Sequence, residues 1–127
     1  MLGTKEKLFF LNVVLGAKNL AGEENSQGAA LVKNQQILSY GINKKIIANK
    51  EWEISAIYDA IFGARAENLE GCSLFTTYFP AVEDLKLIVS VGITSINFLG
   101  EIKDPEAVRL MNEISKASIP LEIIKLG

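Results

Sequence analysis

The chain contains no histidine and only one cysteine, Cys72, among its 127 residues. Without an imidazole there is no Ser-His-Asp or Cys-His nucleophilic machinery, because both need it as the general base. With a single thiol there is no disulfide framework within the chain, and a zinc site built from His and Cys is excluded. Cys72 itself reads as a buried strand residue with no redox role. A basic excess is also lacking. The 13 Lys and Arg face 15 Asp and Glu, a net charge of -2, which leaves no footprint for the phosphate contacts of a long nucleic acid. The longest uncharged stretch, Leu87 to Gly100, is interrupted by Ser90, Gly92, Thr94, Ser95 and Asn97. It falls short of the roughly 20 apolar residues that span a bilayer. Near the N-terminus, Lys5, Glu6 and Lys7 precede a short apolar run that has no small-residue cleavage site. These absences lead to the expectation of a soluble cytoplasmic protein with no membrane contact, whose partner is a small molecule or another protein.

What is present suffices for a core. Hydrophobic residues make up 49% of the chain and charged residues 22%, enough apolar surface to offset the ordering entropy, so intrinsic disorder is excluded. The length fits a single domain over residues 1–127 with a radius of gyration of roughly 14 Å. No repeat, linker or low-complexity tract divides it.

Apolar residues recur at three- and four-residue steps from Lys5 to Ala21, which predicts an amphipathic helix. Gly28 to Val32, a polar turn at Lys33 to Gln35, and Gln36 to Tyr40 predict a hairpin. Gly41 to Lys50 reads as a basic, irregular loop, and Trp52, Ala56, Ile57, Ala60, Ile61 and Ala64 predict a helix from about Glu51 to Ala66. Cys72 to Thr77 is a strand, Pro80 suits the first turn of a helix that Gly92 ends, and Ile93 to Leu99 is a strand. Asp104-Pro105 starts the last helix, and Ile119 to Leu126 is the terminal strand. Three strand-helix-strand crossovers favour parallel pairing, with helices on both faces of a sheet.

This order, with several local phrases, resembles the deoxycytidylate and cytidine deaminase superfamily along nearly the whole chain, most strongly its deoxycytidylate deaminase branch. Ser26-Gln27-Gly28-Ala29-Ala30-Leu31-Val32 is similar to the family's first strand, and Gly41-Ile42-Asn43 to the phrase that closes its second. Glu51-Trp52-Glu53-Ile54-Ser55-Ala56-Ile57 stands where the family has its His-Ala-Glu helix start. Ser73 to Pro80 resembles the third strand leading into the Pro-Cys-x-x-Cys helix, and Lys86-Leu87-Ile88, Gly92-Ile93 and Gly100 to Asp104 continue the likeness. The resemblance implies a three-layer α/β/α cytidine deaminase-like fold with a five-stranded mixed sheet. It also implies hydrolytic deamination by zinc, through the signature H-x-E followed by P-C-x-x-C.

The pattern departs at the metal. Carried over by position, the histidine is Glu51, the two cysteines are Ala81 and Asp84, and the proton-shuttling glutamate remains as Glu53. Alanine has no donor atom, so a three-ligand zinc site cannot be rebuilt from these positions. Zinc lowers the pKa of bound water from about 15.7 to about 7, worth roughly 12 kcal/mol in hydroxide availability. A lone general base supplies only about 3 to 5 kcal/mol. The expectation is therefore a zinc-less pseudoenzyme that retains a nucleotide-type cleft for a pyrimidine nucleotide or serves as a homo-oligomeric or partner subunit. One alternative is a deaminase or hydrolase with a hard cation, Mg²⁺ or Mn²⁺, held weakly by Glu51, Glu53 and Asp84. Another is a pure protein-interaction subunit.

Each residue also has a plainer reading. Glu53, Glu51 and Asp84 would suit helix starts, where the dipole and free amides favour acids. Trp52 either packs under the former metal position or stacks on a base. By the resemblance, Asn43 contacts a nucleotide's sugar or phosphate and Thr77 joins it as a substrate-binding residue; an Asn ending a strand is also a common turn residue. Lys44, Lys45 and Lys50 would either hold a phosphate or form a solvated loop.

Overall fold

The structure, a computed structural model, describes residues 27–45, 53–64 and 68–126, together with Leu8, Asn12, Leu15 and Gly16. The chain enters the sheet through β1 (Gly28–Lys33) and β2 (Gln36–Ile42), an antiparallel hairpin. Asn34 and Gln35 between them have φ of 53° and 63°. Two central residues with positive φ define the turn whose twist matches that of the flanking strands, and Asn tolerates that region well. A two-residue ribbon follows, in which β3 (Lys44–Lys45) pairs antiparallel with β4 (Glu53–Ile54).

Helices then alternate with strands: α1 (Ala56–Gly63), β5 (Ser73–Thr76), α2 (Val82–Ser90), β6 (Ser95–Phe98), α3 (Pro105–Lys116) and β7 (Glu122–Lys125). The main sheet is five-stranded and mixed, in the order β2-β1-β5-β6-β7. β1 runs antiparallel to both neighbours, whereas β5, β6 and β7 are parallel, as helical crossovers require.

Ala29, Leu31, Leu74, Ile96 and Phe98 pack with Ala56, Ile57, Ala60 and Ile61 of α1, Leu85 and Ile88 of α2, and Ala107 of α3. Alternation along the strands sends Ala30, Val32 and Phe75 into a second cluster with Ile37 and Leu126. Small residues set the spacing where α1 lies on β2. A Cβ at Gly41 would stand 2.1 Å from the Ala56 carbonyl oxygen and 2.4 Å from the Ala60 nitrogen. α2 ends as expected at Gly92, whose φ of 84° lets Ile93 N–H reach the Ile88 carbonyl at 3.2 Å and Gly92 N–H that of Val89 at 3.2 Å.

Several expectations are corrected. The helix read from Glu51 begins only at Ala56, because Ser55 caps it and Glu53 is drawn into the ribbon with Lys45. Glu53 is therefore a strand residue and not a first-turn acid. The basic loop contains strand residues: Gly41 and Ile42 extend β2, and Lys44–Lys45 forms β3. Pro80 lies one residue before the cap of α2, not within its first turn. The early helix, apart from Leu8, Asn12, Leu15 and Gly16, which are helical, lies outside the described residues. So do Lys50, Glu51 and Trp52.

Candidate functional site

The starts of α1 and α2 meet at two side chains. Ser55, the residue before α1, accepts from Tyr58 N–H at 3.1 Å and donates its hydroxyl to Asp84 Oδ1 at 2.7 Å. The other oxygen, Asp84 Oδ2, accepts from Ala81 N–H at 3.0 Å. This is half of a capping box, since Ala81 has no side-chain acceptor to return the bond. Asp84 is buried, only 3% exposed. Burial pushes its carboxyl above the usual aspartate range, the bonds from Ser55 and Ala81 act against that, and neighbouring Glu83 adds slightly to the rise.

Tyr78 completes this corner. Its hydroxyl oxygen accepts from Ile57 N–H at 3.3 Å. Burial above all, then the charge of Asp84, holds the phenol well above its ordinary range, while hydrogen bonds to the Ile57 backbone and the Ser55 side chain oppose the shift. Gln27 Oε1 accepts from Ala56 N–H at 3.4 Å. The first three amides of α1, which have no intrahelical partner, are thus each accepted by a side chain.

A second set gathers at the entry to β1. Asn43 accepts from Gln27 N–H at 2.8 Å and donates its side-chain amide to Glu53 Oε1. Thr77 Oγ1 accepts from Gly28 N–H at 3.0 Å. Of the residues singled out in the sequence, Asn43 and Glu53 are in contact, and Thr77 is tied to them through the Gln27-Gly28 backbone. Glu53 belongs to this set and Asp84 to the other.

Beside both sets is an open cavity of about 330 Å³ at the ends of β5 and β6, lined by residues 77–81 and 99–101 with Lys103 and Asp104. That volume is at the low end for small-molecule sites, and its position at strand carboxyl ends is where α/β sheets bind ligands. Thr77, Tyr78 and Ala81 line it; Asn43, Glu53 and Asp84 do not. Lys125 Nζ donates to Glu101 Oε1 at 2.7 Å and holds that exposed carboxyl below its usual range.

Of the three positions that the resemblance assigns to zinc, Glu51 lies outside the described residues, and the other two are poor ligands as they stand. Ala81 offers a methyl group, both Asp84 oxygens are engaged, and no group of three or more His, Cys, Asp or Glu among the described residues is arranged to hold a metal. Sequence reasoning passed over Ser55 and Tyr78. Ser55 carried a signal, a cap residue immediately before the apolar residues Ala56 and Ile57. Tyr78 carried none, because its partner is 21 residues away.

The antiparallel β1 flanked by β2 and by three parallel strands, with helices in the crossovers, defines the cytidine deaminase-like α/β fold, shared with nucleotide deaminases. The dCMP deaminase of cyanophage S-TIM5, solved in complex with dCMP and dUMP, matches with a TM-score of 0.84 and 17% identity, over 99% of this chain and 100% of that one. A diaminohydroxyphosphoribosylaminopyrimidine deaminase and reductase from Thermotoga maritima matches at TM-score 0.73 and 19% identity, over 95% of this chain and 36% of that one. A structure from work on A-to-I editing by deaminases at the wobble position of transfer RNA matches at 0.71 and 19%, over 95% and 99%. No protein-family profile matches the sequence, and no curated protein matches it significantly. At these identities the likeness is one of fold. Among the described residues no helix is long and apolar enough to cross a membrane.

Proposed function

We propose that this chain is a zinc-less, catalytically inactive relative of deoxycytidylate deaminase that keeps a cleft for a pyrimidine nucleotide and acts as an assembly subunit. The observation that carries the reading is the state of the two cysteine-equivalent positions: Ala81 has no donor atom, and Asp84 spends its oxygens on Ser55 and on the Ala81 amide. Glu53, at the proton-shuttle position, is bound to Asn43 and does not line the cavity. Without the roughly 12 kcal/mol that zinc contributes to hydroxide availability, a carboxylate alone cannot sustain the hydrolysis.

A nucleotide is the proposed ligand class because the cyanophage enzyme of the same fold binds dCMP and dUMP, and because the cavity here is large enough for a ring and its substituents. Self-association is proposed from the apolar composition and from α1, where Phe62, 61% exposed, meets Tyr58 edge-on with ring centroids 5.8 Å apart. A cytoplasmic location accompanies this reading.

Elemental analysis should find no stoichiometric zinc, and dCMP should not be deaminated by the protein with or without added Zn²⁺, Mg²⁺ or Mn²⁺. One zinc per chain, or turnover with any of these ions, overturns the reading. Melting-temperature shifts with dCMP, dUMP and thymidylate test the cleft, because a ligand that binds only the native state raises stability by RT ln(1 + [L]/Kd). Light scattering at micromolar concentration tests the assembly, and a monomer there removes it.

A further inference from the structure

Two helix starts that meet bring together amides without intrahelical partners, an arrangement that needs a hydrogen-bond acceptor group between them. In this chain that group is Asp84. Its Oδ1 accepts from Ser55, the cap of α1, and its Oδ2 from the amide of Ala81, the cap of α2. One carboxylate therefore spans both helix starts. The amides of the first turn of α1 are closed by Gln27, Tyr78 and Ser55, which come from three separate parts of the chain.

We propose that this hydrogen-bonded bridge, Ser55 to Asp84 to the Ala81 amide with the Tyr78 hydroxyl beside it, has replaced a metal ion as the link that holds the starts of α1 and α2 together. The inference rests on the zinc-less reading given above. It goes further by assigning the vacated position a structural occupant. Ala81 and Asp84 stand at the two cysteine-equivalent positions, so the bridge forms where two ligands would converge. Tyr78 keeps its proton, because burial and the Asp84 charge both oppose its loss. Its oxygen thus accepts from Ile57 while the O–H remains a donor within the same corner.

The bridge is tested by a double-mutant cycle on the full chain, read as melting temperature. Ser55→Gly keeps most of the capping preference at that position but removes the hydroxyl, and Asp84→Ala removes the carboxylate. Each single variant should lose about 4 °C or more. The double variant should lose clearly less than the sum of the two single losses, because the shared Ser55–Asp84 bond is lost only once while the Tyr58 and Ala81 bonds are lost independently. Ser55→Thr, which keeps the hydroxyl, should recover most of the loss. Additive losses, or a Ser55→Gly protein that melts with the wild type, overturn the proposal.

If Asp84→Ala does not fold, Ser55→Gly and Ser55→Thr are compared with the wild type alone, and equal melting temperatures of all three overturn it. Tyr78→Phe retains the ring and loses the hydroxyl; an unchanged melting temperature would remove Tyr78 from the bridge. Dialysis against a chelator should leave the wild-type melting temperature unmoved. Stoichiometric zinc in the purified protein would defeat the underlying reading, whereas a zinc-free protein with an additive cycle would defeat the bridge alone.

Discussion

Asn43 holds Glu53: its side-chain amide donates to the Glu53 carboxylate while its carbonyl oxygen accepts from Gln27 N–H at 2.8 Å. Glu53, which the resemblance puts at the proton-shuttle position, is thereby committed to the junction of β1, β2 and β4. The bond needs an acceptor at position 53 and no charge.

Glu53→Gln, with the amide oxygen toward Asn43, should therefore change stability by well under 1 kcal/mol. Asn43→Ala leaves the half-buried Gln27 amide and Glu53 without this partner and should cost about 1 to 3 kcal/mol. Urea denaturation of the two variants checks this. Equal losses would mean that the charge of Glu53, and not its acceptor, supports the junction.

The pH dependence of stability should carry the signature of Asp84. Its folded carboxyl lies above the ordinary value of 3.8, chiefly through burial, so just above that value the native state holds a proton that the unfolded chain has released. Stability then falls as pH rises through that interval and is fullest below it. Compared with Asp84→Asn, the wild type should lose ground between about pH 4 and neutrality, with the two proteins most alike at the acid end. Parallel profiles in urea melts across this range would show that the carboxyl is not perturbed by folding.

Gly41→Ala should be severely destabilising. The new Cβ would meet backbone atoms of α1 at 2.1 and 2.4 Å, and backbone cannot move aside as a side-chain tip does. Overpacking of this kind costs about 1 to 3 kcal/mol or more. A thermal melt within 2 °C of wild type, on the order of the error, would show that α1 can lift from β2 freely.

Ser118 follows α3 with φ of 56°, and its N–H reaches the Ser115 carbonyl at 3.1 Å while Ile119 N–H reaches that of Ile114 at 3.3 Å. The geometry is that of a helix end normally closed by glycine. Ser118→Gly relieves the left-handed strain and should stabilise by about 0.5 to 1 kcal/mol, net of the glycine's greater freedom when unfolded. Differential scanning calorimetry checks the sign.

Much of the fold is legible in the chain because its signals are local. Asn34 marks a two-residue turn, Gly92 closes α2, Asp104-Pro105 opens α3, and runs such as Ser73 to Thr76 are too short and too apolar to be surface helices. Each of these follows from φ preference, capping or alternation within a few residues. The resemblance to deaminases likewise rests on the order of short phrases, and the fold bears it out.

The misread segments are those in which a distant partner outweighed the local pattern. Helical spacing extended upstream of Ala56, but pairing of Glu53 with Lys45 and the cap at Ser55 claimed those residues for a ribbon and a helix start. The site followed the same division. Sequence alone determined which donor atoms are missing, since an alanine at position 81 is an absence that no fold can repair. Only the tertiary structure decided what Asp84 does, because its partners Ser55 and Ala81 belong to two different helix starts. It also placed Tyr78 beside them, through a contact with Ile57 across 21 residues. A hydrogen bond between segments that far apart depends on where the sheet sets each helix down, and no spacing rule within one segment encodes it.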